Sequence, residues 1–189
     1  MSRPVLTIIA GPNGSGKSTL TSSARSTFLD AVVLDPDAKA HSLQSKLSEG
    51  VQPIEAGKQI LTEAAGLLAA GSSFSVETTL SGGTYLKMAA RAKAAGYAVA
   101  LLFVGTESVE INIQRVNARV RKGGHDVPED DQRRRFPRVF ANLKMLLPLT
   151  DEAILFDNSG ERLTLVGYGI GGVLNWNEPV PGWAVPLRG

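Results

Sequence analysis

An α/β fold built on a mostly parallel sheet is predicted by three features of the sequence. Short apolar runs rich in β-branched residues alternate with longer segments of helical period, the pattern of repeated strand–helix–strand units. The runs lack the polar alternation of a strand with one wet face, so helices on both sides of the sheet are expected. A glycine-rich octet, GPNGSGKS, follows the first run directly and leads into a helical segment.

In chain order, strands are predicted at 5–10, 31–34, 74–76, 98–104 and 153–156, and helices at 17–26, 37–47, 54–70, 85–95, 108–121 and 129–146. Positions 162–166 read as one more strand. From about 167 onward glycine and proline dominate, and an irregular tail packed by Trp176 and Trp183 is expected. With 189 residues and neither an internal repeat nor a linker, a single domain over 1–189 is expected.

Composition excludes several classes. A formal net charge of +2 is too small to draw in a polyanion by global attraction, so anion binding must come from local clustering. Cys 0 rules out disulfides, thiolate metal sites and a cysteine nucleophile, and suits a cytoplasmic protein. The apolar opening is much shorter than the roughly 20 residues of a bilayer span and runs straight into glycines, so it reads as a buried strand and no membrane partner is expected.

The octet fits G-x-x-x-x-G-K-[ST] at every fixed position and stands between a strand and a helix. In such a P-loop, backbone N–H groups of a glycine-rich turn and of a helix N-terminus converge on phosphates. Gly11, Pro12, Asn13, Gly14, Ser15, Gly16, Lys17, Ser18 and Thr19 are therefore the expected nucleotide-binding residues. Lys17 would reach the β and γ phosphates of ATP, and Ser18 Oγ would ligate Mg²⁺. The three-layer P-loop NTPase fold follows, but that fold hosts motors, switches, transporters and kinases alike. The run LSGG at 80–83 matches part of the signature of ABC transporter ATPases. It lacks its context, because the strand that follows, YAVALLFVGTE, has no carboxylate directly at its end.

Carboxylates fall where doubly wound sheets bind ligands, past the C-terminal ends of strands. AVVLDPD puts Asp35 and Asp37 after the second strand, and FSVETT puts Glu77 at the end of the third. A kinase needs a group to accept or orient the proton of the acceptor hydroxyl, and Mg²⁺ held by oxygen ligands. Asp37 reads as that base, with a helix N-cap as the alternative. Glu77 fits a metal-bound water or a substrate hydroxyl, with plain strand-end polarity as the competing reading; Asp35 fits a cap or the metal's shell. Asp157 has the position of a Walker-B acid, but Asn158 and Ser159 beside it equally suggest a turn.

The stretch RVNARVRKGGHDVPEDDQRRR crowds arginines around a glycine pair. Arg115 and Arg119 share one helix face, and Arg134 and Arg138 repeat that spacing on the next helix. Gly123-Gly124 permits a sharp turn between them, and Pro128 suits the first turn of the second helix. A helical lid that brings Arg115 and Arg119 to the transferring phosphoryl group is expected. Surface pairing with Glu129, Asp130 and Asp131 is the alternative, preferred for Arg133 and Arg138. A nucleic-acid groove would interleave aromatics among the basic residues; this block offers only Phe136 and Phe140 at core-like spacing, so nucleic acid is not an expected partner.

These motifs in this order, GPNGSGKST, LDPD, SFSVETTLSG and RVNARVRKGGHDVPE followed by RRRFPRVFANL, resemble the zeta toxin family of P-loop kinases, its short single-domain bacterial members above all. The resemblance implies an ATP- and Mg²⁺-dependent phosphotransferase with Lys17 as P-loop lysine, Asp37 as catalytic base, Glu77 as substrate-side acid and Arg115 as a phosphate-binding arginine. It further implies a small-molecule hydroxyl as acceptor, a nucleotide sugar such as UDP-N-acetylglucosamine, and an antitoxin protein as partner. Thr79 and His125 join Asp37 and Glu77 as expected substrate contacts. Where the toxins carry another lid arginine this chain reads GGHDVP, which leaves Arg119, Arg121 or His125 to meet the γ-phosphate. Related short sequences often read Ala-Gly-Arg where this one has Ala56-Gly57-Lys58. An ATPase or switch acting on a protein partner, and a polynucleotide 5′-kinase, are the competing functions.

Overall fold

The computed structural model describes residues 3–28, 32–42 and 52–188. Its strands form one sheet in the order β2-β3-β1-β4-β5-β6-β7. The five strands β1 (Val5–Ala10), β2 (Val32–Leu34), β3 (Phe74–Thr78), β4 (Ala98–Gly105) and β5 (Glu152–Asp157) run parallel. Two antiparallel strands, β6 (Thr164–Ile170) and β7 (Val173–Trp176), extend the edge. The helices are α1 (Lys17–Phe28), α2 (Pro36–Ser42), α3 (Gln52–Ala69), α4 (Thr84–Ala94), α5 (Val109–Val120) and α6 (Glu129–Leu146). Of the helix predicted over 37–47, α2 accounts for the part up to Ser42; positions 43–47 and Ala31 lie outside the described residues.

Alternation along the strands sends Leu6 and Ile8, Phe74 and Val76, Val99 and Leu101, and Leu155 into one buried layer. Ile60 of α3, Ala89 of α4, and Val139 and Leu143 of α6 complete that layer. Each fully buried Val, Leu, Ile or Phe of this layer contributes about 1.5–3 kcal/mol. The Tyr97 hydroxyl donates to the carbonyls of Leu67 and Ser72, both at 3.0 Å, and so ties the end of α3 to the start of β4.

The other layer meets the expectation of burial on both faces at Ile9, Ser75, Glu77 and Val104 and falls short of it elsewhere. Val5, Thr7, Ala100, Leu102, Ile154 and Phe156 are only half-buried, around a cavity of about 310 Å³ to which Leu20 of α1 also contributes. After β5 the chain adds two more strands and an extended tail instead of a covering helix, so these side chains keep part of their surface.

The segment from 167 corrects the prediction of an irregular tail. Gly171 and Gly172, at φ 60° and 82°, make a two-residue turn that pairs Ile170 with Val173. A Cβ at Gly167 would lie 2.9 Å from the Asn175 carbonyl oxygen, and one at Gly169 2.8 Å from Leu174 Cδ2. The glycines therefore reflect close strand packing, not disorder. Past β7 the chain is irregular up to a 3-10 turn at Val185–Leu187. Trp183 lies against Phe103 and Phe140, with ring centroids 5.5 and 5.6 Å away, and Trp176 packs partly buried on the same core.

Candidate active site

β1 ends at Ala10 and α1 begins at Lys17, so the octet spans the gap between strand and helix. Gly14 and Gly16 take positive φ, 73° and 99°. A Cβ on Gly14 would stand 2.7 Å from the Asn112 carbonyl oxygen, and one on Gly16 2.5 Å from Asn158 Nδ2. Both glycines are thus demanded by protein neighbours as well as by an approaching ligand. Lys17 is 8% exposed, and its ammonium donates to the carbonyls of Gly11 at 2.9 Å and Pro12 at 3.0 Å. Gly11, Pro12 and Ser15 are buried and form the back of the loop.

Parallel register sets Ile9 of β1 beside Glu77 of β3, which delivers the Glu77 carboxylate to the first turn of α1. Glu77 is 7% exposed. Its Oε1 accepts from Ser18 Oγ at 2.9 Å and its Oε2 from Thr21 Oγ1 at 3.2 Å. Burial pushes the carboxyl pKa above its ordinary 4.5; the Lys17 charge pulls it back, Asp35 adds to the rise, and the two hydroxyls oppose it. Asp35 stands immediately before α2, where its carbonyl accepts from the Lys39 N–H at 3.0 Å. Asp37 is the second residue of α2, and its side chain lies outside those described.

Two cavities meet at Asn13, Lys17 and Glu77. The first, about 440 Å³, is bounded by Gly14, Gly16, Ser18 and Thr19 of the P-loop, by Arg115 and Arg119 of α5, and by Asn158, Gly160 and Glu161 after β5. The second, about 390 Å³, has Asp35, Pro36, Gly57, Thr78, Thr79 and Tyr85 on one side and His125, Asp126, Asp131 and Arg135 on the other. Arg115 and Arg119 are therefore gathered on the phosphate-binding loop, while Thr79, Asp35 and His125 border the neighbouring space. Arg121 is exposed at the end of α5 and borders neither. Of Gly57 and Lys58 it is the glycine that lines the second cavity; Lys58 is exposed.

The lid turn is built around the glycine pair. Gly123 takes φ 83°, and a Cβ on Gly124 would lie 2.5 Å from Arg119 Cγ. Arg119 donates to the His125 carbonyl at 2.7 Å, and Arg115 to the carbonyls of Asn158 at 2.6 Å and Gly160 at 3.1 Å. Pro128 stands just before α6, not within its first turn, and its extended ψ of 138° sets the angle of entry. Arg133, Arg134 and Arg135 of α6 are each paired with a carboxylate. Arg133 pairs with Glu110 at 2.6 Å, a partner on α5 and not among the acids ahead of it, while Arg135 pairs with Asp131 at 2.7 Å. Asp157 is the last residue of β5; it accepts from Trp183 Nε1 at 2.8 Å and from Ser159 Oγ at 2.7 Å, and it borders neither cavity.

Sequence reasoning missed Asn158, Gly160 and Glu161 on the first cavity, and Tyr85, Asp126, Asp131 and Arg135 on the second. The one available signal for the first group was its place just past a C-terminal strand end, where ligands bind in such sheets. Among the described residues, no helix is long and apolar enough to cross a membrane.

An uncharacterized protein of Haemophilus influenzae is 38% identical over 122 residues, which cover 64% of this chain and 84% of that one. A chain of the AvrRxo1-ORF1:AvrRxo1-ORF2 complex superposes with a TM-score of 0.71 at 19% identity, covering 94% of this chain and 62% of its own. That complex has also been determined with ATP. The PezAT toxin–antitoxin system of Streptococcus pneumoniae gives 0.63 at 19% identity, over 84% of this chain and 69% of that one. This chain thus spans less than two thirds of the AvrRxo1 chain, and at such identity the likeness speaks for the fold alone, a mostly parallel sheet with helices. The Zeta toxin family profile matches residues 1–163, from the first strand through the P-loop and the lid to the loop after β5, and the chain belongs to that family of P-loop kinases.

Proposed function

We propose that this protein is an ATP- and Mg²⁺-dependent kinase that transfers the γ-phosphoryl group of ATP to a hydroxyl of a small molecule. The observation that carries the reading is the pair of joined cavities, one walled by the P-loop and two arginines, the other by carboxylates, threonines and Tyr85. Donor and acceptor sites that share Lys17 and Glu77 hold the reacting groups together without a further binding step. An ATPase working on a protein would need no second cavity. Family membership supports a nucleotide sugar such as UDP-N-acetylglucosamine as acceptor, and the PezAT likeness supports an antitoxin protein as partner.

The N–H groups of Gly14, Gly16, Lys17 and Ser18 bind the β and γ phosphates. The Lys17 ammonium joins them from its place on the carbonyls of Gly11 and Pro12. Arg115 and Arg119 offset charge on the γ oxygens as the phosphoryl group moves. Asp37 takes the acceptor hydroxyl's proton while that oxygen bonds to the γ phosphorus and the bond to the β–γ bridging oxygen breaks, releasing ADP. Glu77, Thr79 and His125 orient the acceptor from the walls of its cavity.

The oxygen donors of Ser18 and Glu77, 2.9 Å apart, are of the hard type that Mg²⁺ prefers, and Asp35 adds charge near them. Bound there, Mg²⁺ would neutralise phosphate charge. Asp37→Ala is expected to keep ATP affinity, read by calorimetry, and to lose phosphoryl transfer. Normal transfer by that variant would show the base to be another group.

A further inference from the structure

The P-loop works only if its N–H groups face inward, and each carbonyl turned outward then needs a donor. The Gly11 and Pro12 carbonyls have the Lys17 ammonium, and the Gly16 carbonyl has the Leu20 N–H at 3.1 Å. The Ser15 carbonyl is met by a side chain from the far end of the chain: Asn158 Nδ2 donates to it at 2.7 Å. Because a peptide unit is planar and trans, a Ser15 C=O aimed at Asn158 sends the Gly16 N–H the opposite way, into the cradle. Gly16 sits at φ 99°, a backbone that can rotate freely once that anchor is gone.

Asn158 holds a second phosphate-facing group as well. Its own carbonyl accepts from Arg115 Nη1 at 2.6 Å, with the Gly160 carbonyl taking Arg115 Nη2 at 3.1 Å, and the rest of that arginine's donor fork is left for a ligand. The residue is in turn fixed from behind. Its N–H donates to the Gly105 carbonyl at 2.9 Å, and Ser159 Oγ accepts from the Glu107 N–H at 2.8 Å. Asp157 beside it is clamped by Trp183.

We propose that Asn158 is a positioning residue of the nucleotide site, one that orients the Gly16 peptide towards the phosphates and sets Arg115 beside them. This rests on the reading that the P-loop binds ATP, and it adds a residue whose sequence context, DNSG, suggests only a turn. From the wall of the first cavity the residue acts through the P-loop backbone and through Arg115.

The test uses the full chain with Asn158→Asp, which keeps size and shape but has no side-chain N–H to donate, and Asn158→Ala. Calorimetry with Mg·ATP and Mg·ADP should show dissociation constants raised about tenfold in both variants, the scale of one lost charge-directed hydrogen bond. AMP, which lacks the β phosphate that the Gly16 N–H meets, should bind each variant as it binds the wild type, measured by ligand-observed NMR. General loosening of the fold would weaken all three nucleotides together and would overturn the proposal, as would unchanged ADP affinity. Should the variants not fold, the wild-type protein decides: the Gly16 amide proton must shift strongly on ADP titration, and a Gly16 amide that does not respond rules the orientation out. A wild type that binds neither ATP nor ADP overturns the nucleotide reading itself and this proposal with it.

Discussion

Ser18 Oγ donates to Glu77 Oε1 across 2.9 Å and joins the first turn of α1 to the end of β3. The bond sets a buried carboxylate beside the P-loop, and the direction of its titration follows from that burial. Glu77 has a folded pKa above the ordinary 4.5, so the folded state holds its proton more tightly than the unfolded chain does. Stability therefore falls as pH rises from that ordinary value through the raised one. Glu77→Gln should flatten this slope in denaturant titrations as pH is raised from the ordinary carboxylate range. An equal slope in wild type and variant would assign it to other groups.

Two arginines near the lid should behave oppositely. Arg115 borders the phosphate cavity, and Arg115→Ala is expected to slow transfer by about 10³-fold or more, the scale of an arginine that meets the transferring group. Arg133 is half-exposed and pairs with Glu110 on the surface, so Arg133→Ala should leave both transfer rate and melting temperature unchanged. Steady-state kinetics of the two variants in parallel checks the assignment.

Trp183 is 8% exposed, stacks near Phe103 and Phe140, and donates to Asp157. Trp183→Ala should cost about 3–5 kcal/mol by the measure of large-to-small core changes, read in urea unfolding. Trp183→Phe, which keeps the ring and loses the indole N–H, should cost less.

Asp151 anchors the start of β4: its Oδ2 accepts from the Val99 N–H at 2.8 Å and its Oδ1 from Lys93 Nζ at 3.0 Å. The Val99 N–H first, then Lys93 and Arg3, hold its pKa below the ordinary 3.8 against the opposing effect of burial. The stabilisation is present above that ordinary value and is lost as pH falls through the lowered one. Asp151→Asn should cost about 1–2 kcal/mol near neutral pH, and the difference from wild type should vanish in acid.

Much of the fold was legible because its signals are local. The octet between an apolar run and a helical period announces β1, the P-loop and α1, and α6 matches its predicted bounds because charge and apolar spacing agree over its whole length. The β6–β7 hairpin was hidden by its own glycines: a run of Gly reads as irregular chain, although Gly-Gly at two positive φ values is also what a tight hairpin turn requires. In the candidate site, Lys17, Ser18, Arg115 and Arg119 stood out by motif and spacing. Asn158 did not, because its contact with Ser15 depends on β5 ending beside the P-loop, a juxtaposition that no local pattern encodes. Asp131 was read only as a surface partner for arginines and Arg135 had no assigned role, since sequence gives their separation and not the cavity they border.

The central claim is that two joined cavities carry a phosphoryl group from ATP to a small-molecule hydroxyl. Its most direct test incubates a small-metabolite pool that includes UDP-N-acetylglucosamine with Mg·ATP and either the wild-type protein or Lys17→Ala, and follows the products by mass spectrometry. A metabolite that gains one phosphoryl group with the wild type and not with Lys17→Ala is the predicted result. Consumption of ATP to ADP and free phosphate with no phosphorylated metabolite would contradict it.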